Sequence, residues 1–206
     1  MVGEKVDASR FPELSRYLGA LPSGLSSYPE ARSMGILLRS ATSARYFHPS
    51  WKDLPKELVA ALRAPPPATS WVPTVLTDAV FCVVADTFYP TREDVRDWSY
   101  DRTISLSRVP MYTTLTRVAK LDRFLAAAEK IHALFQRGTG LTIRTSAVGA
   151  EVRLSHPAHL HGELNHFSNE GVFESAFHAA GAKDATVELV ESTPIGARYV
   201  ARYGQP

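Results

Sequence analysis

The chain has 206 residues, 45% of them hydrophobic and 21% charged, with a net charge of +2. This is the composition of a folded globule and not of a disordered chain. Lys and Arg are scattered without a basic block, which argues against a nucleic-acid footprint, and no run approaches the ~20 apolar residues of a membrane span.

The sole cysteine, Cys82, lies in an apolar run, Ala79 to Val84, and reads as a small buried hydrophobe. One thiol makes neither an internal disulfide nor a CxxC metal site. The opening Met1 to Asp7 lacks the apolar stretch of a signal peptide. The expected compartment is the cytoplasm.

In chain order, Pro12 to Leu18 predicts a short helix, with Pro12 in the first turn, where a missing N–H costs nothing. A second helix opens at Ser27-Tyr28-Pro29 and runs to about Thr42. Residues 43–51 form a polar and aromatic loop containing His48 and Trp51. A helix over Pro55 to Leu62 is stopped by Pro65-Pro66-Pro67. Pro73 to Phe88 reads as a buried helix, although Val80 to Val84 is β-branched; its length decides. Thr91 caps the next helix, which carries acidic residues in its first turn and ends near Leu106.

The longest helix is expected over Met111 to Gln136, where apolar residues recur every three or four positions. Its 26 residues would span about 39 Å, and Gly138-Thr139-Gly140 ends it. The last third alternates clearly. Leu141 to Val148 and Ala150 to Ser155 form a hairpin, Ser168 to Ala180 a helix, and Ala185 to Ser192 with Ala197 to Tyr203 a second hairpin. The fold class is therefore α+β: a mainly helical N-terminal half, a long helix, then a four-stranded antiparallel sheet in β-β-α-β-β order. A single domain covers 1–206, with a helical part over 1–110 and the long helix plus hairpin–helix–hairpin module over 111–206.

One cluster carries potential chemistry. His156, His159, His161 and His166, with Glu163, lie within eleven residues, a nitrogen and oxygen set suited to Zn²⁺ or a similar ion. No HExxH signature accompanies them, and the favoured reading is a surface loop entering a helix, with histidines making backbone hydrogen bonds. His132 is either a partly exposed helix residue or an axial haem ligand. His178 suits a helix end. No GxSxG elbow, P-loop or dinucleotide fingerprint is present. Trp71, Trp98, Tyr112, Arg117 and Arg144 combine aromatic and basic character near the long helix, and are the candidate lining of a ligand pocket.

Leu25 to Arg32, the long helix with Tyr112, Leu115 and Arg117, Val152 to Pro157, and Ala179 to Lys183 resemble a poorly characterised bacterial family of about this length, expanded as paralogues in myxobacteria. The order of elements is similar to that of 4-vinyl reductase and haem-nitric-oxide-binding domains. The resemblance implies a ligand pocket between helices and sheet. In place of the haem-binding Tyr-x-Ser-x-Arg motif the nearest run is Tyr28-Pro29-Glu30-Ala31-Arg32, and the several cysteines of vinyl-reductase-type domains are reduced to one.

The expected function is a non-catalytic small-molecule-binding or signalling sensor with a small hydrophobic or amphipathic ligand; no cofactor is specified. The alternatives are a metal-dependent or cofactor-independent tailoring enzyme acting on an apolar substrate, and an interaction protein forming a homodimer through the apolar helix near Ala79 to Val84.

Overall fold

The computed structural model describes residues 6–42, 53–109, 121–146 and 149–204. In chain order these form α1 (Pro12–Ala20), a 3-10 turn (Gly24–Ser26), β1 (Arg32–Met34), α2 (Gly35–Thr42), α3 (Lys56–Arg63), β2 (Trp71–Pro73), α4 (Thr74–Phe88), α5 (Arg92–Ser107), α6 (Leu121–Phe135), β3 (Gln136–Arg137), β4 (Gly140–Ser146), β5 (Gly149–Ser155), α7 (Glu163–Ala179), β6 (Thr186–Thr193) and β7 (Gly196–Arg202). The class is α+β.

The larger sheet has the order β4-β5-β7-β6 and is antiparallel throughout. Period-two alternation sends Val152, Leu154, Ala197, Tyr199 and Ala201 to one face, and α7 covers that face. Phe173 meets the Tyr199 ring edge-on at 4.9 Å, while the Tyr199 hydroxyl donates to the His166 carbonyl at 2.9 Å. Burial of each such large side chain contributes about 1.5–3 kcal/mol.

α4 is apolar on nearly every face, so it can only be a central helix. Val75, Ala79, Val80, Val83 and Val84 are all fully buried, with α1, α2 and α3 around them. From its last turn Asp86 accepts hydrogen bonds from the N–H groups of Glu13 (3.1 Å) and Leu14 (3.0 Å). It thereby caps α1, which has no side-chain cap of its own. Burial raises the Asp86 carboxyl above its usual range, against the pull of those two donors.

α5 begins with a reciprocal capping box between Thr91 and Asp94. It crosses α7 closely at Gly171, where a Cβ would collide with the Arg96 carbonyl. Beside that contact the Arg96 guanidinium reaches Glu170 at 3.5 Å and Glu174 at 2.5 Å.

Several sequence expectations need correction. The helix expected from Pro29 instead opens as strand: Arg32–Met34 pairs with β2 on one side and β3 on the other, giving a small sheet ordered β2-β1-β3. The helix expected from Ser168 starts at Glu163, because Gly162 adopts an extended N-cap conformation and the first turn buries Leu164 and His166. Gln136 belongs to β3 and not to the long helix. The proposed dimer face near Ala79 to Val84 lies inside the protomer, each residue at most 3% exposed. The loop 43–51 and residues 111–120 of the long helix lie outside the described residues.

Candidate functional site

A cavity of about 270 Å³ opens between α4, α5, α6, α7 and the sheet. Its wall is largely apolar, with Phe81 from α4, Phe124 and Ile131 from α6, Leu141 and Val152 from the sheet, and Phe173 from α7. Polar side chains interrupt it, among them Asp78, Arg102, His132, His161 and Asn165. A largely apolar wall interrupted by polar groups is what a small-molecule pocket needs.

Asp78 is the lone carboxylate in the middle of α4 and is 6% exposed. It survives there because His161 Nδ1 lies 2.6 Å from its Oδ2. In the neutral tautomer this bond selects, Nδ1 donates and Nε2 keeps the lone pair. That Nε2 has no hydrogen-bond partner among the described residues, and neither does the Oδ1 of Asn165. Both residues also line a second cavity of about 270 Å³, reached by Glu13, Arg16 and Tyr17 of α1 and by Ser192.

Next to His161 sits a pair of imidazoles. His156 Nδ1 faces the Pro157 carbonyl at 2.8 Å, so it carries the proton. Its Nε2 then accepts from His166 Nε2 at 2.9 Å, and His166 Nδ1 accepts from the Ser192 hydroxyl at 2.8 Å. Burial, aided by the neighbouring rings, lowers His156 to about 4 and His166 to about 3. Both are therefore neutral at pH 7, as these tautomers require. The segment carrying these residues is tied down on several sides. Tyr17 donates to the Leu160 carbonyl and Tyr28 to the Ala158 carbonyl, each at 2.7 Å, and the His156 N–H reaches Ile195 in the turn between β6 and β7.

The candidate residues fare differently. His156, His161 and His166 come together, with ring centroids 4.8 and 5.1 Å apart for the two pairs that include His156. His159 stands apart, exposed and with φ of 61°. As arranged, no group of three or more His, Cys, Asp or Glu among the described residues is set to hold a metal ion. Trp98 stacks between Phe81 (5.0 Å) and Tyr89 (4.7 Å) outside the cavity lining. Trp71 lies in β2 under the Arg137 guanidinium, 3.9 Å from its ring. Arg144 points outward from β4, exposed. Tyr112 and Arg117 lie outside the described residues.

His132 does line the cavity, on α6, with Nε2 2.9 Å from the Thr139 hydroxyl. Burial lowers it to about 4. His178 is held by the Tyr100 hydroxyl and the Ala185 carbonyl. Sequence reasoning missed Asp78 and Asn165. The signal for Asp78 was present, as a single carboxylate inside Val75 to Val84 that a buried helix tolerates only with a partner.

Solved structures share this architecture. One is a Cs H-NOX mutant carrying 4-cyano-L-phenylalanine, with TM-score 0.56 and 13% identity over 84% of this chain and 95% of that one. A mutant of T. Tengcongensis H-NOX gives 0.52 and 12%, over 96% and 98%. An Fe(II) unliganded H-NOX protein from K. algicida gives 0.53 and 8%, over 84% and 97%. The chain has the H-NOX fold. At these identities the likeness concerns the fold alone, and no protein-family model or curated protein matches the sequence.

Proposed function

We propose that this chain is a ligand-binding sensor domain whose cavity takes a small, predominantly apolar molecule with a hydrogen-bond donor. The carrying observation is the apolar cavity against the sheet with two buried acceptors in its wall, His161 Nε2 and Asn165 Oδ1, that have no partner among the described residues. A buried polar atom left unmade costs about 1–3 kcal/mol, and a ligand donor supplied there recovers that cost. The absence of any catalytic signature in the sequence and the H-NOX fold both support a binding role.

The neighbours' name points to haem, and the described residues do not fit it. His161, oriented by Asp78, has the character of an axial ligand. Haem also brings two carboxylates that call for cations. The only Lys or Arg in the described lining is Arg102, whose guanidinium lies over the Phe81 ring at 5.6 Å and the Trp98 ring at 5.2 Å. Tyr28 and Arg32 do not line the cavity, and Tyr28 spends its hydroxyl on Ala158. The volume of about 270 Å³ lies just below the range for drug-sized ligands, well short of a tetrapyrrole.

Thermal-shift titration with indole and with 1-octanol tests the reading. Either probe should raise the melting temperature of the native chain and not that of Ala128→Phe, which fills the cavity from α6. Hemin added to the purified chain should keep the broad Soret band of free hemin, neither shifted nor sharpened. Failure of both probes removes the small-ligand reading, and a shifted, sharpened Soret band that saturates at one hemin per chain replaces it with haem.

A further inference from the structure

The polar side chains around the first cavity are unevenly committed. The hydroxyls of Thr103, Ser107, Ser168 and Ser175 line it, and each donates its proton to a backbone carbonyl of its own helix at 2.7–2.9 Å. Two acceptors stay open, His161 Nε2 and Asn165 Oδ1, both buried and without a partner among the described residues. Behind His161 stands a charge. The Asp78 carboxylate, in a residue 6% exposed, bonds to the imidazole and to no Lys or Arg among the described residues.

On the reading that this cavity takes a small ligand, we infer that the ligand is an organic cation: a protonated primary amine on a small apolar group, whose ammonium donates to His161 Nε2 and Asn165 Oδ1.

Three properties of an ammonium match the site. The first is its donors. It carries three N–H groups and no lone pair, so it serves both acceptors, and the hydroxyls whose protons are spent keep lone pairs for the third. An alcohol or an indole has one donor and serves one acceptor. A carbonyl compound adds an acceptor to a wall that already has two. The second is its charge. A carboxylate held in an apolar interior is costly without a compensating cation, and a neutral imidazole does not supply one. An ammonium on the far nitrogen of that imidazole sets a cation one ring away from Asp78 and makes the hydrogen bond to His161 charge-assisted. The third is its fit to the walls. Phe81, Phe124 and Phe173 line the cavity, and aromatic faces attract a desolvated cation. An apolar cavity of ~150 Å³ holds benzene, so about 270 Å³ accommodates one ring with a short aminoalkyl arm.

Arg102, the only Lys or Arg in the described lining, does not supply what Asp78 lacks. Its guanidinium lies over the Trp98 ring at 5.2 Å. It also lines an outer groove between α2 and α5 together with Arg39 and three carboxylates, Asp94, Asp97 and Asp101, which outnumber the two guanidinium groups there.

Isothermal titration of the native full-length chain at pH 7.5 tests the assignment with three benzyl probes. Benzylamine, protonated at this pH, should bind about 10- to 100-fold more tightly than benzyl alcohol, which has one donor and no charge. Benzyltrimethylammonium keeps the charge without the donors and should also bind at least about 10-fold more weakly than benzylamine. Asp78→Asn retains an acceptor for His161 Nδ1 but not the charge. It should cost benzylamine at least about 10-fold and benzyl alcohol less than about 3-fold. Ala128→Phe should abolish benzylamine binding, which places the amine in this cavity. Four results would each overturn the ammonium assignment: benzylamine no tighter than benzyl alcohol, benzyltrimethylammonium equal to benzylamine, unchanged benzylamine affinity in a folded Asp78→Asn, or binding that survives in Ala128→Phe. Where indole or 1-octanol still binds in those cases, the cavity reading stands and the ammonium alone is lost. Failure of every probe, indole and 1-octanol included, removes both. The probe series is read on unaltered chain, so the test holds even where a variant fails to fold.

Discussion

The two larger hydrophobic cores among the described residues are packed differently. Around α4 the packing is solid: Leu14, Leu38, Leu58, Val75, Val80 and Val83 are all fully buried. Between α6, α7 and the sheet the core includes Val152, Phe177 and Tyr199 yet borders a cavity of about 270 Å³. The difference teaches where function can live. A close-packed region transmits strain and tolerates no added volume, whereas the second region keeps space at the cost of contacts. Asp78 connects the two, rising from the solid core to hold His161 at the cavity wall.

Four tests break or sharpen that contrast. The largest effect is expected at the α5–α7 crossing that bounds the open region. Gly171→Val drives a side chain into the Arg96 carbonyl and should cost about 4 kcal/mol or more in urea unfolding. Next comes a matched pair of enlargements. Ala79→Leu, in the solid core, should lose about 3 kcal/mol, while Ala128→Leu, beside the cavity, should stay within about 0.5 kcal/mol of the parent. Equal losses in urea unfolding would mean the two cores are alike.

The third test is pH. His132 falls from 6.5 to about 4 on folding, so between those values the unfolded chain holds the proton more tightly. Stability present above pH 6.5 is lost as pH falls through that window. Between pH 7 and pH 5 the His132 share is about 2 kcal/mol, and His132→Gln should shrink the measured drop by that amount. The smallest effect belongs to the α5 cap. Thr91→Ala removes the side-chain half of the capping box and should cost about 1 kcal/mol.

What the sequence disclosed follows the same physics. The β-β-α-β-β order of the last third was legible because strict alternation at Val152 and Leu154, and again at Tyr199 and Ala201, leaves little freedom in which face is buried. α4 was legible from its length and apolar content. The small sheet was not, since two or three residues cannot display a period, and Arg32-Ser33-Met34 resembles a helix entrance. α7 was read as starting too late because its first turn is held by Leu164, His166 and the Tyr199 hydroxyl, and not by a continuing apolar stripe.

At the site, composition misdirected the search. Trp71 and Trp98 were conspicuous aromatics, yet their rings serve to cover Arg137 and Arg102. The histidine segment looked like surface loop, because nothing local reveals that Tyr17 and Tyr28, distant in the chain, anchor its carbonyls. Asp78 was legible in principle and its partner was not. Pairing across more than eighty residues is a property of the folded chain.

The small sheet has a kinetic consequence. It brings Arg32 against Pro73 on one side and Arg137 on the other, so closing it must wait until both intervening stretches have collapsed. Long loops add only modestly to the free energy of closure, but non-local pairings slow the search for the native topology. The expected order is helices first and this stitch last. Stopped-flow fluorescence of a variant keeping Trp71 as its sole tryptophan would time that last closure directly.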